Sequence, residues 1–187
     1  MSQVKIQGNA SGTGIFTVAA PNSNTDRTLT LPDNTGTFLT TGTAGVPVNG
    51  PAFSAYGSAL QSVANLTFTK INFNTEEFDT NSNYDTTLYR FTPTVAGYYQ
   101  FNVGCFAAGS TAGGASVSIY KNGSEVRRSA ITNTVSGTNT ALILSAIIYA
   151  NGSTDYFEAY AWNNNGPFNM GSNNALQSFS GALVRSV

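Results

Sequence analysis

The chain has 187 residues, and 8 basic against 9 acidic groups give a formal net charge of −1. Only 9% of residues are charged and none is histidine, which excludes Ser-His-Asp and Cys-His nucleophile arrangements, His-ligated zinc and imidazole pH switching. Nor is there the basic excess that binding to nucleic acid requires.

The length suits one ordinary domain with a small appendage. In chain order, Met1-Ser2-Gln3-Val4-Lys5 lacks the apolar stretch of a signal peptide. No span reaches the roughly 20 apolar residues of a membrane helix. Synthesis in a cytoplasm without membrane insertion is therefore expected, which makes the sequons at Asn65, Asn122 and Asn151 chance products of an Asn/Ser/Thr-rich composition. Residues 1–41 carry three short alternating runs, at 14–18, 27–31 and 36–40, separated by Pro21-Asn22-Ser23-Asn24 and Asp33-Asn34. So short a segment buries too little surface to offset its ordering entropy, so it is expected to pack on another chain. The Gly/Pro-rich stretch from Thr41 to Pro51 marks a boundary, giving an anchoring module at 1–41, a linker at 42–50 and a head at 51–187.

The head reads as β throughout, with Val, Ile, Thr, Tyr and Phe runs between turn clusters and no sustained helical period. On the strand containing Tyr99, Phe101, Val103 and Cys105, alternation sends these four to one face and into the core. Cys105, the lone cysteine, permits no intrachain disulfide and reads as a small buried hydrophobe. Asn122-Gly123 and Asn151-Gly152 both suit type I′ turns and predict two hairpins, the second joining 142–149 to 156–162. In that second pair Tyr156, Glu158, Tyr160 and Trp162 share one face, and Phe157, Ala159 and Ala161 the other. Both strands of the pair are expected to be covered on both sides. About 135 residues of such strands imply a two-sheet sandwich.

From Pro51 onward the text resembles the C1q/TNF-like jelly-roll head. Phe68, Lys70, Ile71 and Asn74 are similar to that family's second-strand pattern, with Tyr84-Asp85 following at a suitable distance. Phe91, Gly97, Tyr99 and Phe101 match its Phe, Gly-x-Tyr-x-Phe core, and 117–123 and 152–157 its next hairpin and strand. Phe179-Ser180-Gly181-Ala182-Leu183-Val184 matches its closing strand. Pro93 departs from the pattern by lying one position closer to Phe91. The resemblance implies an all-β jelly roll that assembles as a homotrimer, with Gly181 allowing close approach at the axis. Low charge and many aromatics point the same way, since large exposed apolar patches mark interfaces. The text of 14–21, 27–32 and 35–37 resembles short β modules of bacteriophage fibre and virion-surface proteins.

Among candidate chemical groups, Glu76, Glu77 and Asp79 form the only acidic cluster; with Asp85 they have the oxygen chemistry of a calcium site or, as a carboxylate pair, of a glycosidase. A solvated loop is the expected reading, and no catalytic, metal-ligating or cofactor-binding residue is assigned. Asn163-Asn164-Asn165 and Asn173-Asn174 have the amides to bind sugars but read first as turns. The sequence thus points to a homotrimeric virion structural protein, a capsid decoration or head fibre anchored on other virion proteins through 1–41. The alternative is a tail fibre or receptor-binding tip that grips a host glycan or protein.

Overall fold

The computed structural model describes residues 50–108, 112–171 and 176–187, with 11–15, 17, 22–26 and 28 of the N-terminal part. The chain divides into two units, Met1–Thr37 and Phe38–Val187. Of the run expected at 14–18, Gly14, Ile15 and Thr17 are described and none is in a strand; of 27–31 only Thr28 and of the linker at 42–50 only Gly50 is described, and 36–40 lies wholly outside the described residues.

The second unit is all-β, with no helix among its described residues and two antiparallel sheets. Sheet one contains β1 (Ala52–Tyr56), β2 (Gln61–Val63), β4 (Thr75–Asp79), β7 (Gly97–Ala108), β11 (Thr140–Ala150), β13 (Phe168–Met170) and β14 (Ser178–Ser186). Its order is β2-β13-β7-β14-β1-β4, with β11 along the other edge of β7. Sheet two contains β3 (Thr69–Lys70), β5 (Tyr84–Asp85), β6 (Arg90–Phe91), β8 (Gly113–Lys121), β9 (Ser124–Arg128), β10 (Thr132–Thr134) and β12 (Phe157–Asn163). Its order is β10-β8-β12-β6-β5, with β9 beside β8 and β3 beside β12.

The period-2 alternation of β7 sends Tyr99, Phe101, Val103 and Cys105 inward as expected, all buried. They meet Val117 and Ile119 of β8 and Phe157, Ala159 and Ala161 of β12 in one core. Rings dominate that core: Phe53 stacks on Phe91 at 4.2 Å, and Phe101 lies 4.4 Å from Phe157 between centroids. Each fully buried ring removes apolar area whose transfer from water supplies roughly 1.5–3 kcal/mol.

The turn at Asn122-Gly123 is a two-residue hairpin as expected, with φ of 53° and 76° and Lys121 paired to Ser124. The second expected hairpin does not form. Strand β11 pairs along its whole length with β7 in sheet one, whereas β12 pairs with β8 in sheet two, so 151–156 crosses between sheets. The local chemistry is that of a capped loop. Asn151 Oδ1 accepts from the backbone N–H groups of Ser153, Thr154 and Asp155, each at 3.0 Å. At Gly152, φ is +71° and an added Cβ would lie 2.2 Å from the Ala96 nitrogen. Asp155 fastens the crossing by accepting from the Asn122 and Asn151 nitrogens and pairing with Lys121 Nζ at 2.8 Å.

Three further expectations are corrected. The close approach at Gly181 is made by rings of the same chain: an added Cβ would sit 2.8 Å from Phe101 and 2.9 Å from Phe53. Within the single chain, strand β11 is covered on one side only, since Leu142 and Leu144 are buried while Ile143 is 72% and Ile147 53% exposed. Residues 75–79 are edge strand β4, paired with β1, and not a loop.

Candidate binding surfaces

The outward face of sheet one is built by the alternate residues of its long strands. Register places Phe78, Ser54, Ser180, Asn102 and Ser145 in one row across β4, β1, β14, β7 and β11; Ala52, Ala182, Gln100 and Ile147 form the next. Ile143 stands opposite Gly104, and the Tyr98 and Tyr149 rings lie 5.6 Å apart at the end of the face. The two central rows carry no charged side chain, whereas the margins do: Glu77 meets Ser54 at the β4 edge, Arg185 stands opposite Tyr98, and Lys121 Nζ lies 5.5 Å from the Tyr149 ring. Polar groups of the central rows engage one another: Gln100 Nε2 donates to Ser145 Oγ at 2.6 Å, and Ser145 Oγ donates to Asn102 Oδ1 at 2.8 Å.

The outward face of sheet two has the opposite chemistry. Tyr120 and Tyr160 stack at 4.0 Å, and Phe68 is flanked by Trp162 at 6.2 Å and by the Arg128 guanidinium at 4.5 Å. Glu158 is buried and pairs with Lys70 at 2.5 Å, while Arg128 pairs with Glu125 at 2.6 Å. Burial, then the Glu158 carboxylate, pushes the Tyr160 phenol up to about 12. The Arg128 hydrogen bond holds Glu125 below the ordinary range.

The sequence-selected groups are not brought together as a site. Glu77 Oε2 accepts from Ser54 Oγ, and Asp79 accepts from the backbone of Asn81 and Tyr84. Asp85 caps its own turn through Thr87 and Leu88. Among the described residues no three acidic, Cys or His groups are placed to hold a metal ion. Asn163 is buried and donates to the carbonyls of Val63 and Ala64, Asn164 accepts from Gly114, and Asn165 donates to Ala112. These amides tie loops together, as the turn reading has it; Asn173 and Asn174 lie outside the described residues. Burial pushes the Cys105 thiol up to about 12, which keeps it unreactive.

The exposure of Ile143 and Ile147 was not legible in sequence, because two apolar faces look alike whether the cover is a second layer or a second chain. The only available signal was that Leu142, Leu144, Ile143 and Ile147 supply more apolar surface than one core needs.

The C1q domain signature spans residues 52–184. The chain belongs to the C1q family. Its C1q fold is similar to the globular domain of the zebrafish complement 1qA protein, with 14% identity over 74% of this chain and 100% of that one, at a TM-score of 0.51. Murine APRIL gives a TM-score of 0.55 with 9% identity over 73% and 100% of the two chains. The vertex protein P5 of PRD1, a phage protein, gives 0.51 with 13% identity over 72% and 96%. At these identities the likeness to solved structures shows the fold alone. Among curated proteins, none matches by sequence.

Proposed function

We propose that the chain is a bacteriophage virion-surface protein: a homotrimer joined through the outward face of sheet one, with residues 1–41 as the anchor on other virion proteins and 51–187 as the projecting head. The carrying observation is the uncharged centre of that face, where Ile143 and Ile147 stand exposed beside an amide and hydroxyl network. Burying that centre removes apolar area from water and leaves the charged groups Glu77, Arg185 and Lys121 at the rim. The similarity in fold to a phage vertex protein supports the setting. A binding or structural role, and not enzymatic catalysis, fits the family and the dispersed carboxylates.

Mass spectrometry of purified particles tests the setting; the chain is expected among the particle proteins, and its recovery only outside particles would overturn the reading. Deleting residues 1–41 is expected to leave a soluble β-rich head that no longer joins the particle. A truncated chain that still attaches as well as the full one would move the anchor to the head.

A further inference from the structure

The outward face of sheet two ends, at its β5–β6 edge, in an open cleft of about 470 Å³. The strand pair fixes what lines it. Tyr84 pairs with Phe91 and Asp85 with Arg90; since both rings are buried in the core, alternation turns Asp85 and Arg90 outward. Ser82, Thr86 and Thr92 complete the hydrogen-bonding rim. The floor is stiff, because buried Asn83 accepts from the Thr94 nitrogen and hydroxyl and donates to the Asn81 carbonyl.

The rim groups, by contrast, keep spare hydrogen-bonding capacity. Each hydrogen bond to the Asp85 carboxylate, from the Thr87 nitrogen, the Thr87 hydroxyl and the Leu88 nitrogen, falls on Oδ1, which leaves Oδ2 as a fixed acceptor. Arg90 has no carboxylate within ion-pair distance among the described residues, and its guanidinium lies 4.8 Å over the Tyr156 ring. The hydroxyls of Ser82, Thr86 and Thr92 have no hydrogen-bond partner among the described residues. The cleft therefore offers the Arg90 donors, the Asp85 acceptor and rotatable hydroxyls.

These groups select a ligand class. One guanidinium and one carboxylate leave no net charge, so a phosphate or carboxylate ligand that meets Arg90 also meets Asp85. An apolar ligand would leave the rim groups desolvated and unpaired. A neutral polyhydroxylated molecule presents donors and acceptors together, which matches the mixed rim. We propose that this cleft binds a neutral saccharide. The proposal does not rest on the virion reading and stands whatever residues 1–41 grip.

The test uses the full chain and saturation-transfer NMR with glucose, galactose, mannose and N-acetylglucosamine, and with glucuronate and glucose 6-phosphate as charged comparators. At least one neutral sugar is expected to bind with a dissociation constant on the order of 1–10 mM, ahead of both charged sugars. Thr92→Val, which removes one hydroxyl without disturbing any hydrogen bond of the fold, is expected to weaken binding about tenfold, one lost hydrogen bond to a ligand. Arg90→Gln should weaken it at least as much, and Glu125→Gln elsewhere on the same sheet should leave it unchanged. Circular dichroism checks that each variant is folded, and Ser82→Ala replaces any that is not. No neutral sugar bound at about 50 mM, preference for the charged sugars, or wild-type affinity in folded Thr92→Val and Arg90→Gln would each overturn the proposal.

Discussion

The outward faces of the two sheets share a pleat and a core, yet differ in what their burial would cost. On sheet one Ile143, Ile147 and Ala182 lie among Ser145, Asn102 and Gln100, and these three polar groups already bond one another. On sheet two Lys70, Glu158, Arg128 and Glu125 are threaded between rings. Covering the first face releases water from apolar surface at little polar penalty, whereas covering the second would strip water from ions whose mutual attraction barely offsets the loss. This difference is why the proposed trimer interface is placed on the first face and the proposed small-ligand surface on the second.

The largest expected effect breaks both faces at once by removing what they share. Tyr99→Ala and Phe101→Ala should each destabilise the fold by about 3–5 kcal/mol, the range for truncating a fully buried aromatic; Tyr99 loses in addition its hydroxyl bond to the Val95 carbonyl. Thermal melts within a degree or two of wild type would mean that the inward and outward sets of β7 are exchanged. Next is Gly152→Ala, which uncouples the sheets at their crossing. Positive φ alone costs about 1–3 kcal/mol, and the collision with Ala96 adds to it, so denaturant midpoints should fall by more than for Gly137→Ala, where φ is also positive and the space is open.

An acid limb sharpens the contrast between the crossing and the faces. Burial opposes ionisation of Asp155, but hydrogen bonds from Lys121, Asn122 and the Asn151 backbone outweigh it and hold the carboxyl below its ordinary value. A lowered folded value means that the stabilisation is present above the ordinary aspartate value of about 4 and is lost as pH falls below it. Melting temperature against pH should therefore be flat through neutrality, where no histidine titrates, and drop below pH 4. Asp155→Asn should flatten that drop. The smallest effect is expected on sheet two, where Glu125→Gln breaks a partly exposed pair with Arg128 and should change stability by less than about 1 kcal/mol.

Most of the core was legible in the sequence because alternation in Tyr99, Phe101, Val103 and Cys105 is a local property of one strand. The Asn122-Gly123 hairpin was legible for the same reason, as both turn residues sit at positive φ. Asn151-Gly152 misled because the same dipeptide here caps a loop between sheets, and which strand accepts β11 is decided by β7 more than forty residues earlier. Gly181 was correctly read as a site of close approach, but sequence does not say from where; Phe53 and Phe101 supply it. The cleft at Asp85 and Arg90 was invisible, since Ser82, Thr86 and Thr92 carry no spacing that marks a pocket. It exists because β5 and β6 are two-residue strands that leave the sheet edge open.

The division of labour between the faces is tested most directly by the solution mass of the full chain and of Ile143→Asp/Ile147→Asp, measured by light scattering at micromolar concentration. Wild type is expected at three times the 19.6 kDa of one chain. The double variant, its changes exposed in the single chain, is expected to run as a folded monomer with unchanged circular dichroism. A wild-type monomer, or a double variant that keeps the wild-type mass, would contradict the assignment of sheet one as the interface.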